Sequence, residues 1–207
     1  MSPPVAWTAL ALSLLLATPA SADTFTVGPA DGKVTFTVAN LAGHVVGTFE
    51  DFSASVQYDP AHPESASIEA MFITSSLQTK NAQRDNHLRS EDFFDATNHP
   101  RMTFLSKGSR VVPGGLILTG DLTIRGITRE IELAVTGPGD EELGADGKLR
   151  RRATASASVQ RIDFGMDWRI TGALVGPEVA IAIDVAMKKK PAVTPDPAAK
   201  DPATTDP

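Results

Sequence analysis

Apolar and polar residues alternate one for one in segment after segment of this chain. Val34-Thr35-Phe36-Thr37-Val38 is the clearest case, and Met102-Thr103-Phe104 and Leu122-Thr123-Ile124 repeat it. A period of two places every apolar side chain on one face of an extended strand, a pattern no helix can use. Val56-Gln57-Tyr58 ends at the turn Asp59-Pro60, and Ile68-Glu69-Ala70-Met71-Phe72-Ile73 resumes the extended pattern. Leu116-Ile117-Leu118-Thr119 and Leu122-Thr123-Ile124 flank Gly120-Asp121, and Ile131-Glu132-Leu133-Ala134-Val135 runs up to the turn Gly137-Pro138-Gly139-Asp140. Residues 153–159 and 179–185 close the series. About eight strands joined by short turns, with no regular βαβ alternation, predict an antiparallel all-β domain. An open sheet of that many strands leaves two unpaired edges, and closure into a barrel removes them. Such a barrel is either filled by its own side chains or keeps room for one slender ligand.

The inward residues decide between those two. Ala153, Ala155, Ala157 and Val159 share one strand face, with Thr154, Ser156 and Ser158 on the other. Hydroxyl side chains suit solvent, which favours the alanines inside, where they leave space. Ala180 and Ala182 add small residues on the last strand. An outward alanine face would be only a small-residue surface and would leave the barrel full. Phe36, Phe49, Phe52, Phe72 and Phe104 fall on strand faces at the right period. Each is a core filler by default, and in a ligand barrel the same rings become the pocket wall.

Residues 77–96 break the alternation. Residues 82–88 suit a short helix, residues 90–94 a further turn, and Asn98-His99-Pro100 ends the segment because the residue before proline is pushed out of the helical region. Asp85, His87 and Ser90 are the residue types of a hydrolase triad. They crowd into one short stretch, where helical positions two apart do not face each other, and no G-x-S-x-G turn exists, so no enzyme is predicted. His87, His99, Asp85 and Asp92 lack metal-ligand spacing and the chain has no cysteine, so neither a metal nor another cofactor is implied. Arg84, Asp85, Arg89 and Asp92 are expected to pin the loop as a local ion-pair and capping network. Leu88, Phe93 and Phe94 then cover the barrel end, one phenylalanine structural and the other lining the pocket.

Both ends of the chain read differently from its body. Residues 5–17 carry no charge and are rich in Leu and Ala, too short a run for a membrane span. Ala20-Ser21-Ala22 supplies the small residues of a signal-peptidase site, so residues 1–22 are expected to leave as a signal peptide. Residues 191–207 are rich in Pro, Ala, Asp and Thr and are expected to be a disordered tail. Between them, residues 23–190 make one domain that has no disulfide frame and rests on its core alone. The net charge is −6, of which the tail supplies −2 (Lys200 against Asp196, Asp201 and Asp206). An acidic body argues against nucleic acid as a partner. The run Lys188-Lys189-Lys190 is either a solvated strand end or a contact for a membrane surface.

The segments Arg84-Asp85-Asn86-His87-Leu88-Arg89-Ser90-Glu91-Asp92-Phe93-Phe94 and Gly120-Asp121-Leu122-Thr123-Ile124-Arg125-Gly126-Ile127-Thr128 have a further meaning. Taken with Phe36-Thr37-Val38, Gly47-Thr48-Phe49-Glu50-Asp51-Phe52 and Arg161-Ile162-Asp163-Phe164-Gly165, in that order, they resemble the YceI-like family of bacterial lipid-binding proteins. The resemblance covers about residues 24–187. It implies an eight-stranded, lipocalin-like antiparallel barrel with a short helical segment near residues 80–96. It also implies a periplasmic or secreted carrier, monomeric or homodimeric, whose interior holds a polyisoprenoid or fatty-acid derivative. On this reading the ligand-binding wall comprises Phe36, Val38, Phe49, Phe52, Phe72, His87, Leu88, Phe93, Phe94, Phe104, Leu122, Ile124, Ala155, Ala157 and Ile181. Members of the family often carry His where this chain has Asn40; either His44 takes over that position's role or the polar chemistry there differs. The alternative to a carrier is a filled, non-binding structural or stress-protective barrel.

Overall fold

The computed structural model describes residues 22–41, 43–167 and 175–191. Nearly all of the expected signal peptide and the tail from residue 192 lie outside the described residues. The strands are β1 (Asp23–Val27), β2 (Gly32–Asn40), β3 (Gly43–Phe49), β4 (Phe52–Tyr58), β5 (Ser67–Ile73) and β6 (Leu77–Gln78). The helix α1 (Ala82–Arg89) follows, and then β7 (Arg101–Val112), β8 (Gly115–Ile124), β9 (Ile127–Thr136), β10 (Glu142–Leu143), β11 (Leu149–Gln160) and β12 (Val175–Lys189). Every pairing is antiparallel, and the circuit β1-β4-β5-β7-β8-β9-β11-β12 closes as an eight-stranded barrel.

Closure depends on the length of β12. Along one edge it pairs with β11 from Glu178 to Lys188. Along the other it pairs first with β2, as far as Val185, and then with β1 at Lys188 and Lys189. The β2–β3 hairpin therefore builds the wall at one end of the barrel, while β1 and β4 build it at the other. The loop containing α1 sits at the β2–β3 end, tied to it where β6 pairs with Thr48 and Phe49.

The period-two pattern maps directly onto the faces. In β8, residues 116, 118, 120, 122 and 124 are buried and those between them are partly open. Leu116–Thr119 and Leu122–Ile124 therefore belong to one continuous strand that runs straight through Gly120-Asp121. Gly120 lies in the strand so that the Phe104 ring can cross it: a Cβ there would stand 2.6 Å from that ring and from the Leu105 carbonyl oxygen. Gly47 of β3 does the same for the Phe36 ring, with which it is in register.

The alanine face of β11 points inward. Ala153 is buried and Ala155 and Ala157 are half-buried, whereas Thr154, Ser156 and Ser158 are exposed. On β12 the expectation fails: Ala180 and Ala182 are exposed, and Val179, Ile181, Ile183, Val185 and Met187 face in. The register explains it. Opposed residues in an antiparallel pair share a face, and Ala155 opposes Ile183 while Ala157 opposes Ile181. Space inside comes from one alanine row set beside a row of isoleucines.

The end away from α1 is held together by packing and ion pairs. Phe25 and Met187 are buried there, and the Arg151 guanidinium lies over the Tyr58 ring. Lys189 bonds Asp23 at 2.6 Å and Glu141 at 3.0 Å, and Lys188 bonds Asp31 at 2.5 Å. Hydrogen bonds to Asp23 and then Glu141 raise the Lys189 pKa above its ordinary value. Two lysines of the basic run are thus engaged in closing the barrel.

Candidate functional site: an apolar cavity along the barrel axis

The barrel encloses a cavity of about 380 Å³, within the range of small-molecule sites. Seven of the nine phenylalanines stand on its wall. The other two, Phe25 and Phe164, are buried elsewhere. At the α1 end the rings form a continuous cluster. Phe36 and Phe49 lie 5.5 Å apart, Phe49 and Phe72 5.9 Å, and Phe52 and Phe72 6.1 Å, all tilted. Phe94 meets Phe49 edge-on at 6.1 Å, so the loop is joined to the barrel through aromatic contact. Such offset and edge-on pairs add about 0.5–1.5 kcal/mol each beyond their buried area.

The remaining residues named from the sequence also reach this wall. Val38 comes from β2, Phe104 from β7, Leu122 and Ile124 from β8, Ala155 and Ala157 from β11, and Ile181 from β12. His87, Leu88 and Phe93 come from the loop, with the His87 ring edge-on to Phe93 at 5.0 Å. Phe93 and Phe94 both line the cavity, so the expected division into one structural ring and one lining ring does not hold.

Sequence reasoning missed part of the wall. Leu118, Leu133, Val135 and Val179 were within reach, because they follow the same alternation as residues that were named. Arg84, Arg161, Asn40 and Tyr58 were not, because no periodicity marks a polar side chain as inward.

The loop is pinned differently from expectation. Asn81 caps α1 by accepting from the Arg84 amide at 3.0 Å. Asp85, 2% exposed, accepts from the Thr79 amide at 2.9 Å and from the Thr79 hydroxyl. Arg84 donates Nε to Thr79 Oγ1 at 2.7 Å and Nη2 to the Thr79 carbonyl at 2.8 Å. Arg89 donates Nε to the Ser75 carbonyl at 2.8 Å and Nη2 to the Leu77 carbonyl at 2.5 Å. The four charged residues therefore do not pair with one another. Three of them satisfy the backbone and Thr79, and Asp92 pairs with His87 at 3.1 Å. The reason is local: a loop that leaves the sheet has unpaired carbonyls and amides, and charged groups close by are drawn to them first.

This geometry bears on the chemistry as well. Ser90 donates its hydroxyl to the His87 carbonyl at 2.8 Å, while Asp85 is committed to Thr79, so no Ser-His-Asp relay is assembled. Among the described residues no group of three His, Cys, Asp or Glu could hold a metal ion. Asn40 stands on the cavity wall, and His44, opposite Ala39 on β3, is exposed. His44 is not on that wall.

The YceI-like domain profile matches residues 25–187. The chain belongs to the YceI-like family. Protein YceI of Shigella flexneri is 34% identical over 127 residues, covering 56% of this chain and 66% of that protein, just under two thirds of its length. Among solved structures, BcnA of Burkholderia cenocepacia has a TM-score of 0.68 at 25% identity, covering 76% of this chain and 97% of that one. A polyisoprenoid binding domain from Saccharophagus degradans has a TM-score of 0.55, covering 82% of this chain and 99% of that one. At 11% identity that last likeness concerns the fold alone.

Proposed function

We propose that this YceI-like chain is an exported binding protein that holds one long apolar chain, a polyisoprenoid or a fatty-acid derivative, for carriage, storage or sequestration. The observation that carries the reading is the cavity: it runs along the barrel past Phe104, Leu122, Ile181 and the alanines of β11, and its wall is apolar nearly throughout. A narrow apolar bore suits a slender hydrocarbon, and each buried methylene contributes about 0.8 kcal/mol before ordering costs. A filled structural barrel is disfavoured by the same space. The fifteen residues named from the sequence are proposed as the ligand-contacting wall, with the α1 loop as its lid. Residues 1–22 are proposed to be removed on export to the periplasm or beyond, and the tail after Lys190 to be dispensable for binding.

Native mass spectrometry of the purified protein, followed by organic extraction, tests this. A mass increment that resolves on extraction into an isoprenoid or acyl chain is expected. A preparation that carries none, and takes none up when offered oleic acid or methyl oleate, refutes it.

A further inference from the structure

The permanently charged side chains on the described part of the cavity wall are two arginines. Among the described residues the lining contains Arg84, His87 and Arg161, and no Asp, Glu or Lys. This occurs in a chain with 25 acidic residues and a net charge of −6. The three are not scattered along the bore. Arg84 and His87 belong to the α1 loop, and Arg161 follows the end of β11 that pairs near the start of β12. The opposite end presents Tyr58 and Met187 instead.

The two arginines differ in what they have left to give. Arg161 donates Nε to the Gly176 carbonyl and Nη2 to the Val175 carbonyl, each at 3.1 Å, and Nη1 to the Met166 carbonyl. Its fork is used up in holding the chain. Arg84 directs Nε and Nη2 at Thr79, and among the described residues its guanidinium meets no carboxylate and Nη1 has no partner. A guanidinium at the edge of an apolar, low-dielectric space gains most from an anion that can accept in its plane. A wholly hydrocarbon ligand would leave that charge without its counterpart.

We propose that the cavity is built for a single-chain amphiphile with an anionic head, a carboxylate or a phosphate, seated against Arg84, its tail running toward Tyr58 and Met187. This rests on the apolar-chain reading above and adds the ligand's polarity and direction. His87, held by Asp92, flanks the head on the same loop.

The test compares probes that share one tail. Oleic acid, oleyl phosphate and methyl oleate are titrated into the delipidated full chain, unmutated and as Arg84→Gln and Arg84→Lys. In the unmutated protein the two anions should bind about tenfold or more tighter than the ester, the scale of a charge-assisted hydrogen bond. Arg84→Gln should collapse that ratio and Arg84→Lys should keep part of it. A preference for one anion over the other identifies the head as carboxylate or phosphate. Equal binding of anions and ester by the unmutated protein overturns the proposal, and that arm needs no variant to fold. An Arg84→Gln protein that loses anions and ester in equal proportion also overturns it, because Arg84 would then act only by anchoring the loop. Failure of all three probes overturns the apolar-chain reading itself, an outcome distinct from binding without preference.

Discussion

Gly47→Ala is a one-carbon change whose sign depends on the wall geometry. In an unobstructed strand, alanine for glycine stabilises by about 0.4–1 kcal/mol, because the unfolded chain loses freedom. At Gly47 the added Cβ would lie 2.2 Å from Phe36 Cζ and 2.6 and 2.8 Å from its Cε atoms. Ordinary contact begins at 3.4 Å, so the ring must retreat by 1.2 Å (3.4 less 2.2). Phe36 is 7% exposed and already packs on Phe49 at 5.5 Å. Its open direction is into the cavity. Overpacking of this kind costs about 1–3 kcal/mol, and in a domain of this size each kcal/mol lowers the melting temperature by about 2–4 °C. Urea and thermal unfolding should be measured on delipidated protein, because a retained ligand raises apparent stability. The double variant Gly47→Ala/Phe36→Leu removes the obstructing ring, and the cycle should show a coupling of about 1 kcal/mol or more. A ring displaced into the bore should also reduce the lipid that co-purifies. If Gly47→Ala stabilises the protein, or costs the same with and without Phe36, the crossing of ring over glycine does not control this wall.

Ala157→Phe should abolish lipid retention while the protein still folds, whereas Ala182→Phe, on the exposed face of β12, should retain lipid normally; extraction and mass spectrometry of both distinguishes the faces. Arg89→Ala leaves the Ser75 and Leu77 carbonyls without their donor and should cost about 1–3 kcal/mol in urea unfolding, with Arg89→Lys recovering part of it. For Lys189 the pKa in the folded protein is raised by Asp23 and Glu141. The stabilisation is therefore complete below the ordinary lysine value of about 10.4 and is lost as pH climbs through the folded value. The melting temperature should fall over that alkaline range, and Lys189→Met should flatten the fall; an unchanged slope would mean that the ion-paired end does not close the barrel.

Much of the fold was legible because a β-barrel writes its geometry in period two. Alternation in β2, β7, β8 and β11 named the strands, and the hydroxyl residues opposite Ala153, Ala155 and Ala157 indicated which face was dry. The same logic, applied strand by strand, reached the wall from Phe36 to Ile181. It failed at Ala180 and Ala182, because small size does not define a face; the register with β11 does, and Ile181 and Ile183 took the inside. Gly120, which the sequence places between two apolar runs, sits inside one strand with the Phe104 ring lying across it.

The loop shows the limit most clearly. Its composition marked it as charged and ending in phenylalanines; charged side chains do hold it, and Phe93 and Phe94 line the cavity. Which groups those charges meet is a matter of distance, and distances across a loop are set by how β6 docks on β3. Arg84, Asp85 and Arg89 therefore serve Thr79 and the carbonyls of the preceding segment rather than each other. The sequence by itself determined the strands, the dry face of β11 and the family. Only the tertiary structure decided that a cavity remains, that Arg84, His87 and Arg161 gather at the α1 end of its described wall, and that ion pairs tie the other end together. Those depend on barrel closure, which brings together residues as far apart in the chain as Asp23, Glu141 and Lys189 through pairings that no local pattern encodes.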